Sequence, residues 1–184
     1  MLGVYLSFPF CRQKCTYCNF ASGVFADKLR RRYAPALARE LAAADLSRAE
    51  TLYLGGGTPS LMSAEEWTIV GEALGRREWA EATLETSPGD VTPERAALWA
   101  SWGVDRVSLG VQSFDPRVAA AAGRKHTPEQ VRDEIAVLAR AGIRRVNVDL
   151  IAGLAHQNEA NWLDSLAWAE RLGVEHVSVY MLEV

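Results

Sequence analysis

Apolar segments of strand character alternate with helical patterns along nearly the whole chain, and no other feature restricts the fold so strongly. Six strands are predicted, at residues 3–8, 51–54, 83–86, 106–111, 145–151 and 175–180, each but the last followed by a helical pattern. Helix starts between them are well marked. Ser63 with Glu66 and Thr127 with Gln130 read as capping boxes, and Thr92-Pro93 and Asp115-Pro116 place proline at a first helical position. Gly142 and Gly173 stand where helix C-caps belong, just before the fifth and sixth strands. Each strand–helix unit takes roughly 30 residues, the size of a βαβ repeat, so the strands should be parallel and the crossovers right-handed. Eight such units would close a barrel of about 250 residues. The 184 residues have room for six. The predicted fold is therefore α/β, a partial, open TIM-like (β/α)6 barrel, with residues 1–184 as one domain and a C-terminal part expected to be missing.

Alternation along the later strands adds a second constraint, because successive side chains point to opposite faces. Val107, Leu109 and Val111 share one face, and Ser108, Gly110 and Gln112 share the other. Val146, Val148 and Leu150 oppose Asn147 and Asp149, while Val177 and Val179 oppose Ser178 and Tyr180. The apolar face suits packing helices. The other is small and polar, unlike the branched residues that fill a closed barrel. A cavity lined by hydrogen-bonding groups follows, richest near the C-terminal strand ends, where parallel α/β architectures place ligands.

The stretch CRQKCTYC holds all three cysteines, Cys11, Cys15 and Cys18, directly after the first strand. No apolar run approaches a membrane span, and the start MLGVYLSFPF lacks a basic region and a cleavage site. A cytoplasmic setting with reduced thiols is expected, and an odd number of clustered cysteines makes a poor disulfide framework. Three chemistries compete. The thiols could be structural and buried. They could bind zinc, with a fourth ligand from His126, His156 or His176, none of them near in sequence. Or they could hold an iron–sulfur cluster, three thiolates leaving one iron with an open position. Phe8, Phe10, Tyr17 and Phe20 surround the cysteines and would limit water access, which tunes a cluster's potential. The net charge of −3 gives no reason to expect nucleic acid. The basic stretch KLRRR, Lys28 to Arg32, reads first as a solvated helix face, and otherwise as a docking point for an acidic electron donor or for heme propionates.

The spacing C-x3-C-x-aromatic-C at the end of a first strand resembles the radical S-adenosylmethionine (SAM) superfamily. In that superfamily the cluster is [4Fe–4S] and the amine and carboxylate of SAM chelate the fourth iron. One electron then cleaves the cofactor to methionine and a 5′-deoxyadenosyl radical. Further motifs follow the later strands: GGGTPS from Gly55, LETSPG, GVQSFD, GRKH from Gly123 and NVDLIAGL. Together they resemble the oxygen-independent coproporphyrinogen III oxidase family and its heme-chaperone relatives, from Tyr5 to about Glu183. The resemblance implies that Cys11, Cys15 and Cys18 ligate the cluster. It implies SAM contacts from Tyr5, Tyr17, Gly56, Gly57, Thr58, Glu85, Gln112, Arg124 and Asp149, with no separate catalytic residue. Glu85 and Asp149 can accept hydrogen bonds from ribose hydroxyls or face a sulfonium, and Arg124 can grip a carboxylate. A structural partner for the two carboxylates, Arg124 or Arg106, is the alternative.

Two branches separate just beyond the third cysteine. The oxidase pattern places another cysteine two positions later, whereas this chain reads CTYCNFAS, with Asn19 and Phe20 following Cys18. Tyr17 and the Asn-Phe pair are similar to the heme-chaperone branch, which retains cluster and cofactor, binds heme and passes it to apo-hemoproteins. That reading implies a low-potential electron donor as partner, and at most peripheral association with a membrane. The branch's H-N-x-x-Y-W motif has no counterpart here, and His126, His156 and His176 are the candidate axial ligands. Coproporphyrinogen III decarboxylation to protoporphyrinogen IX and a zinc-stabilised structural module are the alternatives.

Overall fold

The computed structural model describes residues 2–75 and 77–182. Six parallel strands form one sheet in sequence order: β1 (Leu2–Phe8), β2 (Ala49–Gly56), β3 (Glu81–Thr86), β4 (Arg106–Gln112), β5 (Arg145–Ala152) and β6 (His176–Met181). β1 and β6 are the two edges, so the sheet is an open partial barrel, as predicted. The helices are α1 (Asp27–Ala43), α2 (Ala64–Leu74), α3 (Pro93–Ser101), α4 (Pro116–Ala121), α5 (Pro128–Arg140) and α6 (Glu159–Leu172), with a 3₁₀ turn at Pro59–Leu61. The crossover from β4 to β5 thus carries two helices, α4 started at the Asp115-Pro116 signal and α5 at the Thr127 cap read in the sequence.

The outer face of the sheet is the core. Val107, Leu109, Val111, Val148 and Leu150 are fully buried against Trp67 and Val70 of α2, Trp99 of α3 and Val131 and Leu138 of α5. Each such aliphatic side chain contributes about 1.5–3 kcal/mol on burial. Val179 departs from the predicted pattern: it is 50 % exposed, because β6 lies at the sheet edge.

Caps fix where the helices begin. Ser63 and Glu66 form the full capping box, with both reciprocal bonds. At α5 only half of the predicted box exists. Thr127 Oγ1 accepts from Gln130 N, but the Gln130 amide donates instead to Glu134 Oε1 at 2.9 Å. Asn158 and Asn161 form a reciprocal pair at α6 that a Ser/Thr–Glu/Gln template misses. The basic stretch also needs correcting. Arg30 is no solvated side chain: it donates to both carboxylate oxygens of Glu66 and to Leu61 O, and lies 5.8 Å from the centre of the Phe8 ring. Lys28, Arg31 and Arg32 are exposed.

Candidate functional site

The C-terminal strand ends and the cysteine loop enclose a cavity of about 730 Å³, within the range of small-molecule and cofactor sites. Cys11, Cys15, Cys18, Tyr17, Gly56, Gly57, Thr58, Glu85, Gln112, Arg124 and Asp149 all line it. Tyr5 does not. It is 60 % exposed, and its ring stacks on that of Tyr53, 5.6 Å between centres.

The cysteine loop is fastened residue by residue. Phe10 bridges to Gly23, and Cys11 N donates to Gly23 O at 2.9 Å. Between Cys11 and Cys15, each of the three intervening side chains has a separate anchor. Arg12 pairs with the buried carboxylate of Asp90 at 2.8 Å, Gln13 donates to Gly123 O, and Lys14 Nζ donates to Phe20 O and Ser22 O at 2.8 and 2.9 Å. Lys14 Nζ also lies 3.7 Å from Cys18 Sγ. All three thiols are free and half-buried. Among the described residues no three His, Cys, Asp or Glu side chains are grouped closely enough to hold a metal ion, the three cysteines included.

The GGGTPS turn closes over this loop. Gly57 N donates to Phe8 O and Thr58 N to Phe10 O, at 2.9 and 3.0 Å. A Cβ at Gly57 would stand 2.7–2.8 Å from Phe8 O, Phe10 O and Pro9 C. The close approach that requires glycine here is thus to the chain's own backbone. Gly56 differs: its φ of +104° is one that side-chain-bearing residues rarely adopt.

Among the described residues neither inward carboxylate forms a salt bridge with an arginine, although the charge of Arg106 pulls the pKa of Asp149 down. Glu85 accepts from Tyr53 Oη at 2.8 Å and Gly56 N at 3.0 Å. Asp149 accepts from Ser108 Oγ at 3.0 and 3.2 Å and from Asn147 Nδ2 at 2.7 Å. Burial raises the pKa of both above the usual carboxylate range, and these hydrogen bonds only partly offset it. Arg124 instead spans the cavity wall, donating to Ser87 Oγ at 2.8 Å and Tyr17 Oη at 2.9 Å. Its Nε is buried and has no partner among the described residues. Burial pushes the Tyr17 hydroxyl up to about 12, against the favourable pull of Arg124. Gln112 reaches the cavity through a break in register between Gly110 and Gln112, with a left-handed φ of 71°. Its amide lies over Gly110, where a Cβ would stand 2.9 Å from Gln112 Nε2.

None of the three histidines belongs to this cavity. His126 is buried, with Nε2 3.2 Å from Ser113 O, and burial lowers its pKa to about 4. His156 is exposed on the loop after β5, and His176 begins β6 with Nδ1 2.5 Å from Asn147 Oδ1. Sequence reasoning missed Tyr53 and Ser87 as cavity partners. Tyr53 lies two residues before Gly55 on the inward face, so alternation could have found it. Ser87 stands inside the LETSPG motif.

The donor set suits an iron–sulfur cluster with a polar small molecule beside it. Three unbridged thiols supply soft ligands, and the adjoining cavity presents two carboxylates and a guanidinium with an unpartnered nitrogen.

Comparison with known proteins agrees with this chemistry. Residues 5–169 match the model of the radical SAM superfamily. A heme chaperone HemW of Lactococcus lactis is 34% identical over 182 residues, covering 97% of this chain and 48% of that protein. An oxygen-independent coproporphyrinogen III oxidase of Paracoccus denitrificans is 33% identical over 189 residues, covering 97% and 42%. The solved coproporphyrinogen III oxidase (HemN) of Escherichia coli superposes with a TM-score of 0.85 at 24% identity, covering 99% of this chain and 44% of its own. The chain spans about half the length of the curated relatives it matches.

Proposed function

The chain belongs to the radical SAM superfamily, and on that premise we propose that residues 1–184 are the core unit of a heme chaperone that binds a [4Fe–4S] cluster and SAM and delivers heme to apo-hemoproteins. One observation carries the branch: Asn19 and Phe20 follow Cys18 where the oxidase pattern has another cysteine, in a chain similar end to end to proteins named heme chaperones.

In this reading Cys11, Cys15 and Cys18 would ligate the cluster, leaving one iron for SAM. Gly56, Gly57 and Thr58 would border the methionine end of the cofactor. Glu85 and Asp149 are acceptors for hydroxyls or neighbours for a positive centre, and Arg124 offers its unpartnered Nε to a carboxylate. Tyr17 and Gln112 complete the wall. Tyr5 would act through Tyr53, which holds Glu85. When bound and reduced by one electron, the cluster supplies radical chemistry by reductive cleavage of SAM. The residues themselves bind, orient and exclude water. A reducing compartment such as the cytoplasm would keep the three thiols free for the cluster. No helix among the described residues is long and apolar enough to cross a membrane.

The test is anaerobic reconstitution of the full-length protein. The expected result is broad iron–sulfur absorbance that Cys15→Ala abolishes, SAM binding, and transfer of bound heme to an apo-hemoprotein. A stable colourless zinc protein would overturn the superfamily chemistry. The similarity to the Paracoccus denitrificans oxidase supports a second reading, and turnover of coproporphyrinogen III under reducing conditions would establish it over the chaperone.

A further inference from the structure

Asn147 is a buried amide on the inner face of β5, 1 % exposed, and all of its hydrogen-bonding positions are taken. Strand register places it in one row with Ser108 of β4 and His176 of β6. Its Nδ2 donates to Ser108 Oγ and to Asp149 Oδ1, both at 2.7 Å. Its Oδ1 accepts from Ser178 Oγ at 3.1 Å and lies 2.5 Å from His176 Nδ1. Donors and acceptors determine one another along this row. Ser108 gives its one hydroxyl proton to Asp149, so it accepts from Asn147, and the amide nitrogen faces the carboxylate. The amide oxygen then faces His176, whose Nδ1 must carry a proton. His176 opens on a second cavity of about 350 Å³, among Glu81, Arg106, Arg145 and Glu175. That cavity lies at the N-terminal ends of β3 to β6, away from the cysteine loop. Arg106 Nη2 stands 3.2 Å from the same Nδ1. One ring nitrogen cannot donate to Asn147 and accept from Arg106 at once, so His176 stands between two arrangements.

We propose that His176 and Asn147 are positioning residues for Asp149, joining the carboxylate at the cofactor cavity to the far end of the barrel. This rests on the reading that Asp149 accepts from bound SAM. With a proton on Nδ1, His176 holds the Asn147 oxygen, and the amide nitrogen keeps Asp149 an acceptor. With the proton on Nε2 instead, Nδ1 takes the bond from Arg106, and two lone pairs meet at 2.5 Å. Turning the Asn147 amide over relieves that contact. Its oxygen then faces Asp149, which must take up a proton to donate to it. The second arrangement therefore holds one more proton, and acid favours it. Glu85 of β3, Arg106 of β4, Tyr53 of β2 and Tyr180 of β6 face Asp149 in both arrangements. Only the amide changes from donor to acceptor.

The experiment uses the full-length protein, and its first arm needs no cofactor. NMR of selectively labelled histidine nitrogens reads which ring nitrogen of His176 carries the proton, the signal being assigned by its loss in His176→Ala. The wild-type protein should show Nδ1–H at neutral pH. Carbon NMR should show the Asp149 carboxyl titrating at higher pH in His176→Ala than in wild type. His176 is exposed at the start of an edge strand, so its variants should fold. The second arm measures SAM binding to the reconstituted protein by equilibrium dialysis across the acid and neutral range. His176→Ala should weaken SAM about fivefold near neutral pH, the worth of one hydrogen bond, and move the acid limb of the binding curve to higher pH. His176→Asn, whose amide N–H replaces Nδ1–H, should restore both. His176→Gln, whose donor replaces Nε2, should not. A merely structural histidine would change stability and leave the acid limb in place. Nε2–H in the wild-type protein, or one Asp149 titration shared by wild type and His176→Ala, would overturn the proposal. If the wild-type protein binds no SAM, the cofactor reading has failed, and the first arm still decides whether His176 positions Asp149.

Discussion

Replacing Gly57 by alanine separates two explanations of the GGGTPS turn, closeness to a cofactor and closeness to the chain's own backbone. The added Cβ would stand 2.7 Å from Phe8 O and 2.8 Å from Phe10 O and Pro9 C, where ordinary contact begins at 3.4 Å. Those atoms cannot swing aside as a side chain would. Phe8 O and Phe10 O accept from Gly57 N and Thr58 N, and Pro9 O accepts from Gly23 N at 2.9 Å. Overpacking of this kind costs about 1–3 kcal/mol, and stretching two hydrogen bonds adds about 0.5–1.5 kcal/mol each. The apo-protein should therefore lose about 2–6 kcal/mol, a large part of a typical domain stability of about 5–15 kcal/mol. The assay is urea unfolding under reducing, anaerobic conditions, followed by circular dichroism. For a loss of about 3 kcal/mol and a slope of about 2 kcal/mol/M, the midpoint falls by about 1.5 M at unchanged slope. Gly75→Ala is the control. Its Cβ would meet nothing within 4 Å, and only the φ of +72° resists it, at about 1–2 kcal/mol. If Gly57→Ala unfolds within about 0.5 kcal/mol of wild type yet fails to bind SAM, the packing argument is refuted and the cofactor explanation stands.

Three further outcomes follow from the same geometry. Lys14→Met removes a positive charge held 3.7 Å from Cys18 Sγ, so the reduction potential of the reconstituted cluster should fall by on the order of tens of millivolts in a redox titration, while Lys14→Arg keeps most of it. Burial raises Glu85, so its contribution to stability is full below its unfolded range of about 4.3 and is lost as pH rises through the higher folded value. Glu85→Gln, whose amide can donate to Tyr53 Oη while its oxygen accepts from Gly56 N, should stabilise the apo-protein at pH 7 in urea unfolding and weaken SAM binding. His126 has the opposite sign: its pKa is lowered to about 4, so its contribution is present above about pH 6.5 and is lost as pH falls toward 4, by up to about 3 kcal/mol. His126→Asn should flatten unfolding midpoints across that window, and an unchanged profile would show that the acid sensitivity lies elsewhere.

What could be read in the chain depended on how far each determinant reached. Strand alternation and proline-marked helix starts are local, and the six strands and the open barrel followed from them. Eleven of the twelve assigned site residues meet at one cavity. Glu85, Gln112 and Asp149 stand on inner strands, Gly56, Gly57 and Thr58 end β2 or begin its turn, the cysteine loop follows β1 and Arg124 follows α4. Parallel sheets gather the loops beyond their strand ends at one mouth. Tyr5 lies earlier on its strand and so ends up on Tyr53 instead. The unforeseen features depend on contacts between distant segments. Gln130 abandons its capping box because Glu134, which also binds Gly89 N, draws its amide away. Gln112 turns inward through a left-handed φ of 71° that alternation cannot encode. The residues between Cys11 and Cys15 look like a variable spacer, yet each finds an anchor more than one strand away or across the loop.

These features share a location, and the location has an energetic meaning. Buried carboxylates with raised pKa, a left-handed glutamine, and the buried Arg124 Nε and Thr86 Oγ1 without partners among the described residues all cost the fold stability. These groups line one cavity, while Ser60 Oγ, Trp67 Nε1, Trp99 Nε1, His126 Nδ1 and Glu134 Oε2, also unpartnered among the described residues, lie outside it. The core behind them is apolar and fully buried, and the cysteine loop in front is tied at Asp90, Gly123 and Ser22. Packing alone would have favoured branched side chains on the inner face, as in closed barrels. Polar groups retained there at a cost are explained by a ligand that supplies their missing partners. A ligand with an amine, hydroxyls and a carboxylate would supply partners of each kind, stabilising the protein by an amount set by its concentration relative to its dissociation constant. Stability of the ligand-free chain and affinity for that ligand are therefore opposed at the same residues, which is why Glu85→Gln is expected to raise one and lower the other.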